Sequence, residues 1–328
     1  MKVLSSPVWP AAKMFLAAGM MACLVTSGFA EPLKLKWEAL RGAGYSGQLR
    51  QTVARFAGIG PLWVSVYLPA GYSQSIKYPV LYVLDGQNLF DGKAGTWELD
   101  ETLEELSQAG KMKKILVVGI HTGVLAEPGN HGFDRMKWFV PKETFSVDEK
   151  AWQGGGASQF LGLVLQLKDK IDHDFSTNPK DVGIMGSSLG GVFSEYAGFK
   201  RSDVFQHVAI LSPSAWLHKR KQQGTEDWHP AHAPWPKYIW MDMGTHEGDA
   251  FNKGAWHEHP ADSARYSKAT GEEAIWIDKQ PETKFIHFRY TPYDPVPGHP
   301  EHLPARHNEP SWAMRVREAL PFLYPPGK

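Results

Sequence analysis

The most constraining feature of this sequence is a pair of serines between glycines where an apolar run ends. Residues Asp181–Ala197 read DVGIMGSSLGGVFSEYA, so residues 186–190 spell G-x-S-x-G between a predicted strand and a predicted helix. In that context the motif indicates a catalytic serine. A sharp turn needs small residues on both sides, which selects Ser188, because Ser187 has no glycines two positions away. The sequence predicts Ser188 as a nucleophile, with an ordinary Gly/Ser turn as the alternative.

Apolar runs typical of strands alternate with helical patterns along the chain, which predicts an α/β domain with a mostly parallel sheet. The early strands, with GIG between them, are expected to form an antiparallel hairpin. The predicted strands, about eight in all, are Leu49–Phe56, Leu62–Pro69, Pro79–Asp85, Lys113–His121, Asp181–Met185, His207–Pro213, Lys237–Gly244 and Lys284–Tyr290.

Helical spacing of apolar residues predicts four helices, which we place on both faces of the sheet. They are Thr96–Gly110 with Thr96 as its cap, Ser158–Phe175, Leu189–Phe199 and Ser311–Tyr324. The stretch Thr122–Gly156 reads as irregular, and so long a segment is typical of a site wall or lid. No linker marks a second domain, so residues 31–328 are predicted to form a single one.

Residues 1–30 have the composition of a secretory signal peptide. Lysines precede the apolar run Met14–Val25, and Gly28 and Ala30 are the small residues before a predicted cut. The apolar run is too short to span a bilayer comfortably, although an uncleaved anchor is the alternative. The prediction is a periplasmic or secreted protein with no stable membrane insertion after signal cleavage.

The single cysteine, Cys23, lies within this N-terminal segment. A cut after Ala30 leaves no cysteine in the mature chain, which excludes disulfides, thiolate catalysis and cysteine-ligated metals. Lipoprotein processing at Cys23 is a minor alternative, since Met20 stands where leucine is usual. The chain has 35 Lys+Arg and 35 Asp+Glu, so its charge indicates neither a nucleic-acid partner nor a membrane-surface protein.

A serine nucleophile needs a base, and in this architecture an acid and then a histidine follow the serine along the chain. The loop after the last predicted strand carries His299, His302 and His307. His307, just before the closing helix, is the predicted base, and His302 is the alternative. His287 lies within the strand and is predicted to be a core or surface histidine.

The acid is expected in the loop GTHEGDA, which follows the strand Lys237–Gly244. Glu247 is the predicted acid because it lies where the chain has just left the sheet, and Asp249 is the alternative. The other interpretation is that Glu247 and Asp249 are only solvated carboxylates of an acidic loop. The backbone N–H groups of Leu189 and of Gln87, in DGQNLFD, are the predicted oxyanion donors.

Five blocks resemble the esterase family of the α/β-hydrolase fold, which includes feruloyl and acetyl-xylan esterases, siderophore esterases and mycobacterial mycolyltransferases. The blocks are Tyr78–Asp91, Val182–Ala197, Ala209–Trp216, Met241–Gly248 and His307–Tyr324. The resemblance covers Gly47 to Tyr324. It implies an α/β-hydrolase fold, and it places the same nucleophile, acid, base and second oxyanion amide on Ser188, Glu247, His307 and Gln87. The proline-rich approach to the histidine departs from the family and leaves His302 open.

The expected reaction is hydrolysis of a carboxylic ester through an acyl-enzyme. The expected substrate is a small, aromatic or carbohydrate-linked ester; an acyltransferase or a non-catalytic binding protein of the same fold are the alternatives. The segment before Lys237 is too short for a large cap domain, which disfavours long-chain lipids. No cofactor is expected, and the oligomeric state is left open.

Aromatic residues in predicted loops suggest a rim that suits sugars or aromatic acyl groups, although most tryptophans simply pack. The candidates are Trp97, Trp138, Trp152, Trp216, Trp228, Trp235 and Trp256. The histidine pairs with metal-like spacing, His229/His232 and His257/His259, are interpreted as solvated loop residues and not as metal ligands.

Overall fold

The computed structural model describes residues 33–40, 44–90, 97–122, 134–141, 144–147, 150–215, 234–248, 250–252, 255–257, 260–279, 283–290 and 306–327. Within it, Leu33–Lys328 cluster as one compact unit. The predicted signal peptide lies outside the described residues, so its cleavage stays a prediction.

The chain folds around one large sheet with two small hairpins beside it. In chain order the strands are β1 (Glu38–Leu40), β2 (Gln48–Phe56), β3 (Gly60–Leu68), β4 (Tyr78–Leu84), β5 (Leu116–Ile120), β6 (Thr144–Val147), β7 (Lys150–Gln153), β8 (Thr177–Ser187), β9 (Phe205–Leu211), β10 (Tyr238–Gly244), β11 (Ala250–Asn252), β12 (Ala255–His257) and β13 (Lys284–Tyr290). The nine-stranded sheet has the order β1-β2-β3-β5-β4-β8-β9-β10-β13.

The sheet is antiparallel at one end and parallel through the rest. In the spatial order of the sheet, β1 pairs with β2, β2 with β3 and β3 with β5, all antiparallel. The remaining neighbours, from β5 and β4 to β10 and β13, pair parallel. The strands β6 and β7, and β11 and β12, form separate antiparallel pairs. The mostly parallel sheet and the early hairpin are therefore confirmed, with one strand more than the predicted count.

Helices cover both faces of this sheet. They are α1 (Leu99–Gln108), α2 (Arg135–Phe139), α3 (Ala157–Asp174), α4 (Leu189–Lys200), α5 (Pro260–Asp278) and α6 (Glu309–Leu323), with a 3₁₀ turn at Gly86–Asn88. Apolar residues of α2, α3, α4 and α5 join one core cluster, and those of α1 and α6 join the other.

The central strand β4 shows why the apolar runs become buried strands. All seven of its residues are buried. Because side chains alternate across a strand, Val80, Tyr82 and Leu84 pack in one core and Leu81 and Val83 in the other. A continuous apolar run is therefore what a strand covered on both faces requires.

Three predictions about local structure need correction. The first helix begins at Leu99 and its N-cap is Glu98, at φ 46°, so Thr96, outside the described residues, is not the cap. The stretch Thr122–Gly156 is not wholly irregular, because it contains α2 and the β6–β7 hairpin. The helix α5 was not predicted, since its sequence, PADSARYSKATGEEAIWID, mixes polar, glycine and apolar residues without a continuous apolar stripe.

Candidate active site

Ser188 forms a strained turn between β8 and α4. Its backbone has φ 57° and ψ −120°, a conformation that non-glycine residues rarely adopt. The Ser188 N–H donates to the carbonyl of Leu211 at 3.0 Å, and the Ser188 carbonyl accepts from the N–H of Ser214 at 3.1 Å. Ser188 is half-buried, whereas Ser187 is only 4% exposed. The turn thus presents the second serine of the motif and buries the first.

Gly186 of the motif and Gly191, which directly follows it, lie in close contact with neighbouring backbone. A Cβ at Gly186 would lie 2.5 Å from the carbonyl oxygen of Gly190, which is far inside van der Waals contact. A Cβ at Gly191 would lie 3.0 Å from the carbonyl oxygen of Leu211 on the neighbouring strand. The strand and the helix can meet this closely only because side chains are missing at these positions.

Glu247 and His307 come together as an acid–base pair. His307 Nδ1 lies 2.6 Å from Glu247 Oε2; the Glu247 side chain is fully buried, and that of His307 is 22% exposed. The carboxylate follows the parallel strand β10, and the imidazole directly precedes α6. Asn308 caps that helix by accepting the N–H of Ser311 at 3.0 Å, which fixes where the helix begins.

The surroundings of Glu247 favour its ionised form. Burial by itself raises the pKa of this carboxyl, but His307 and Arg315 hold the pKa below its usual value. The N–H of Gly244 also donates to Glu247 Oε1 at 2.6 Å. Trp312 packs edge-on against the His307 ring, with the ring centroids 4.9 Å apart. The imidazole is therefore held on one side by a carboxylate and on another by an aromatic ring.

A two-residue stretch at the end of β9 connects the serine turn to the acid. Leu211 accepts the N–H of Ser188, and the next residue, Ser212, donates its hydroxyl to Glu247 Oε1 at 2.6 Å. Trp312 Nε1 donates to the same hydroxyl oxygen at 2.8 Å. Sequence reasoning missed Ser212. The available signal was that this serine directly follows the buried apolar strand β9, which is the neighbour of β8, the strand that leads to Ser188.

The predicted oxyanion donors lie at two turns. Gln87 belongs to the 3₁₀ turn Gly86–Asn88, and its side-chain Oε1 accepts the N–H of Thr122 at 3.0 Å. Leu189 is the first residue of α4, where N–H groups have no partner within the helix. A Cβ at Gly86 would lie 2.7 Å from the backbone of Gly119, so glycine is required there too.

An ion pair that sequence reasoning missed joins the turn after β4 to the start of α2, next to the serine turn. Asp85 Oδ2 lies 2.8 Å from Arg135 Nη2, and the same nitrogen lies 3.5 Å from the carbonyl oxygen of Ser187. A Cβ at Gly190 would be 3.3 Å from Asp85 Oδ2. Thr122 donates its hydroxyl to the other carboxylate oxygen. The one available signal was a charged residue ending the apolar run of β4.

Several predicted site residues lie outside the described residues. They are the alternative base His302, the alternative acid Asp249, and His229, His232 and His259 of the metal-like pairs. His287 lies in β13 as predicted.

Three of the tryptophans proposed for an aromatic rim are buried and do not form an exposed rim. Of the proposed tryptophans, Trp97, Trp138 and Trp235 are between 1% and 8% exposed, because they pack in the core.

In the described part of the chain, no cluster of three or more His, Cys, Asp or Glu side chains is arranged to hold a metal ion. No helix found there is long and apolar enough to cross a membrane.

Comparison with known proteins agrees with this architecture. The Bacillus subtilis ferri-bacillibactin esterase BesA is 28% identical over 154 residues, which cover 46% of this chain and 50% of BesA. The Bacillus subtilis protein YbbA is 26% identical over 195 residues, which cover 56% of this chain and 68% of YbbA. The chain thus spans about half the length of one of these relatives and two thirds of the other.

Solved structures share the fold at low sequence identity. The BES protein from Bacillus cereus superimposes with a TM-score of 0.58 at 17% identity, covering 90% of this chain and 97% of that one. Siderophore hydrolase EstA from Aspergillus nidulans gives 0.57 at 16% identity, covering 97% and 98%. The sequence profile of the Putative esterase family matches residues 60–323. The chain therefore belongs to the Putative esterase family and is a carboxylic ester hydrolase with the α/β-hydrolase fold.

Proposed function

We propose that this enzyme hydrolyses its ester through an acyl-enzyme on Ser188, with His307 as the general base and Glu247 as the acid that orients it. The contact between His307 Nδ1 and Glu247 Oε2, at 2.6 Å, is the observation that carries the proposal. This contact joins two residues that are far apart in the chain. It lies beside the end of β9, where Leu211 accepts a hydrogen bond from the backbone N–H of Ser188. A carboxylate on Nδ1 leaves Nε2 as the nitrogen that exchanges a proton with the serine.

The proposed reaction has two halves. Ser188 Oγ attacks the ester carbonyl carbon while its proton passes to His307 Nε2. The carbonyl oxygen becomes an oxyanion, which accepts hydrogen bonds from the backbone N–H groups of Gln87 and Leu189. The C–O bond to the alcohol then breaks, and the imidazolium returns the proton to the leaving alkoxide. Water repeats the sequence on the acyl-enzyme and releases the free acid. The buried Glu247 carboxylate stabilises the imidazolium in both halves.

Active-site labelling tests the nucleophile. A fluorophosphonate probe should modify the wild-type protein on Ser188, and Ser188→Ala should lose both labelling and hydrolysis of p-nitrophenyl acetate. Ser187→Ala is the matched control, because it removes the neighbouring buried hydroxyl and should keep both. Labelling of any other residue, or full hydrolysis by Ser188→Ala, refutes the assignment.

The names of the relatives suggest which esters to screen. BesA is a ferri-bacillibactin esterase, and two of the similar solved structures are Aspergillus nidulans siderophore hydrolases. A siderophore ester is accordingly the first member of a panel of test substrates. Feruloyl esters and acetylated carbohydrates complete the panel, because the sequence predicts a small, aromatic or carbohydrate-linked ester. Free acid as the product supports hydrolysis, whereas transfer to an added alcohol supports an acyltransferase.

Export before the enzyme acts is part of the proposal. It is supported by the charged start, the apolar run Met14–Val25 and the small residues before the predicted cut. The mass of the purified protein from cells expressing the full chain should correspond to cleavage after Ala30. Cys23→Ser should leave that mass unchanged; a lipid-sized addition that this variant abolishes would show lipoprotein processing instead.

A further inference from the structure

Glu247 shares a fully buried polar cluster with an arginine that the proposed reaction does not use. Arg315 Nη1 lies 3.1 Å from Glu247 Oε1, 3.1 Å from Asp242 Oδ1 and 2.6 Å from Ser212 Oγ. The side chains of Arg315, Asp242 and Glu247 are 0% exposed. One guanidinium thus supplies a positive charge to two carboxylates that are fully buried with it.

The same guanidinium also contacts the segment that carries the base. Arg315 Nη2 donates to the carbonyl of Arg306 at 3.0 Å, and Arg306 directly precedes His307. Arg306 also forms a parallel β-bridge with His246, the residue before Glu247. Arg315 therefore bonds to the acid through its side chain and to the base through the neighbouring backbone, so a shift in either changes its hydrogen bonds.

The two carboxylates next to Arg315 differ in their ionisation. Burial raises the pKa of Asp242, and neither Arg315 nor Trp240 fully compensates. Burial also acts on Glu247, but there the added contacts with His307 and Ser212 lower the pKa. Arg315 lowers the pKa of both carboxyls, but only Glu247 also has contacts with His307 and Ser212, so its pKa ends below the usual value and that of Asp242 above it.

We propose that Arg315 is a positioning residue for the active site, which keeps Glu247 charged and holds it against His307 Nδ1. The inference rests on the proposed function, because it assumes that Glu247 and His307 act as the acid and the base. The ionisable groups that face this pair are Arg315 and Asp242 around Glu247, and Glu309 beside His307.

The test is the pH profile of kcat for p-nitrophenyl acetate hydrolysis by Arg315→Met, which removes the charge and keeps most of the side-chain volume. Loss of a buried positive charge favours the protonated form of the Glu247–His307 pair, whichever residue holds the proton. The acid limb should move to higher pH by about one unit or more. At its optimum kcat should fall by roughly tenfold or more with KM nearly unchanged, because Arg315 orients the base and does not bind substrate.

Two further variants separate positioning from a purely structural role. Arg315→Lys keeps the charge and should restore most of the wild-type acid limb. Arg317→Met removes another arginine of the same helix. The Arg317 side chain is 41% exposed and paired with Glu105, so this variant should leave the pH profile unchanged. If Arg315→Met is folded and its acid limb coincides with that of the wild type, the inference is wrong.

Comparing the paired substitutions Asp242→Asn and Arg315→Met with and without Glu247 keeps the test decisive if Arg315→Met alone folds poorly. In the Glu247→Gln background, Asp242→Asn with Arg315→Met removes one charge of each sign and should cause no further movement of the acid limb. Movement there as large as the same two substitutions cause when Glu247 is present contradicts the inference. Wild-type activity in Glu247→Gln alone would overturn the proposed function instead, whereas an impaired Glu247→Gln beside an unaffected Arg315→Met would overturn only the role of Arg315.

Discussion

The guanidinium of Arg135 lies 2.8 Å from the carboxylate of Asp85, and this ion pair joins the turn after β4 to the start of α2. The Asp85 side chain is 7% exposed, whereas that of Arg135 is 33% exposed. Asp85 also has a left-handed backbone, at φ 56°. Its side-chain contacts therefore stabilise the conformation from which the Gly86–Asn88 turn, with the proposed donor Gln87, begins.

We expect Arg135→Met to destabilise the protein by about 1–3 kcal/mol, because the buried Asp85 carboxylate loses its cation while Arg135 itself is partly solvated. Urea unfolding measures the change. Arg201→Met is the control, since the Arg201–Asp203 pair has a similar separation, 2.7 Å, but side chains that are 37% and 59% exposed. It should cost about 0–1 kcal/mol. Equal effects of the two variants would contradict the structural role of the Asp85 pair.

Alanine substitutions at two glycines should have opposite effects on stability. Gly186→Ala places a Cβ 2.5 Å from the Gly190 carbonyl oxygen, so we expect loss of soluble protein or of activity as the turn opens. Gly162→Ala adds a Cβ on the exposed side of α3 with nothing within 4 Å, and should stabilise the protein by roughly 0.5–1 kcal/mol. Thermal unfolding and ester hydrolysis of both variants check this. A fully active, stable Gly186→Ala variant would show that the turn is not tight.

Replacing Glu309 should change how stability depends on pH. Burial, with a contribution from Asp85, raises the pKa of this carboxyl to about 7, although Trp97, Arg135 and His307 oppose the shift. The folded state therefore binds the proton more tightly than the unfolded state, whose carboxyl titrates near pH ~4.5. The stabilisation is complete below that pH and is lost as the pH rises through about 7.

Glu309→Gln is neutral at every pH and removes this dependence. Between pH ~4.5 and ~8 the wild type should lose on the order of 1–3 kcal/mol relative to the variant, measured by urea unfolding at several pH values. Glu105→Gln is the control, because Glu105 is exposed and its pKa is lowered by Arg317. That carboxyl is ionised in both states over most of this range, so the difference from wild type should be nearly constant. A parallel course for Glu309→Gln would be incompatible with a raised pKa.

His121 should make the protein sensitive to mild acid. Burial lowers the pKa of this histidine to about 4, and its Nε2 lies 2.7 Å from Ser65 Oγ. The unfolded state, titrating near pH ~6.5, therefore binds the proton first, and stability falls as the pH drops from there toward 4. His121→Gln should flatten that decline by on the order of 1–3 kcal/mol, measured by chemical unfolding between the two pH values. An unchanged slope would mean that His121 already carries its charge in the fold.

The features predicted correctly from the sequence were those with a local physical signature. Continuous apolar runs such as β4 become doubly covered strands, and Gly186 marks a turn in which a Cβ would collide with the backbone of Gly190. Glu247 and His307 were predicted as acid and base from the chain order serine, acid, histidine and from their loops after later strands. The structure brings the two side chains into contact, and their catalytic roles remain predictions.

Features that depend on distant neighbours had no such signature. The sequence of α6 shows an amphipathic helix, but nothing in it says that Arg315 points to the buried face and meets Glu247. The left-handed Glu98 at the start of α1 likewise follows from how the turn after β4 packs, where the N–H of Trp97 donates to the carbonyl of Asn88 at 2.7 Å. The predicted tryptophan rim failed for the same reason, because loop position does not reveal burial.

The place of β13 at one end of the sheet, beside β10, has a consequence for when the enzyme acquires activity. On the proposed assignment, Ser188 leaves the ribosome well before the edge strand and the imidazole that follows it. A chain that ends ahead of His307 has every strand of the sheet but lacks both the proposed base and α6, whose apolar residues complete the second core. On the proposed assignment such a chain carries the serine hydroxyl without the base that activates it.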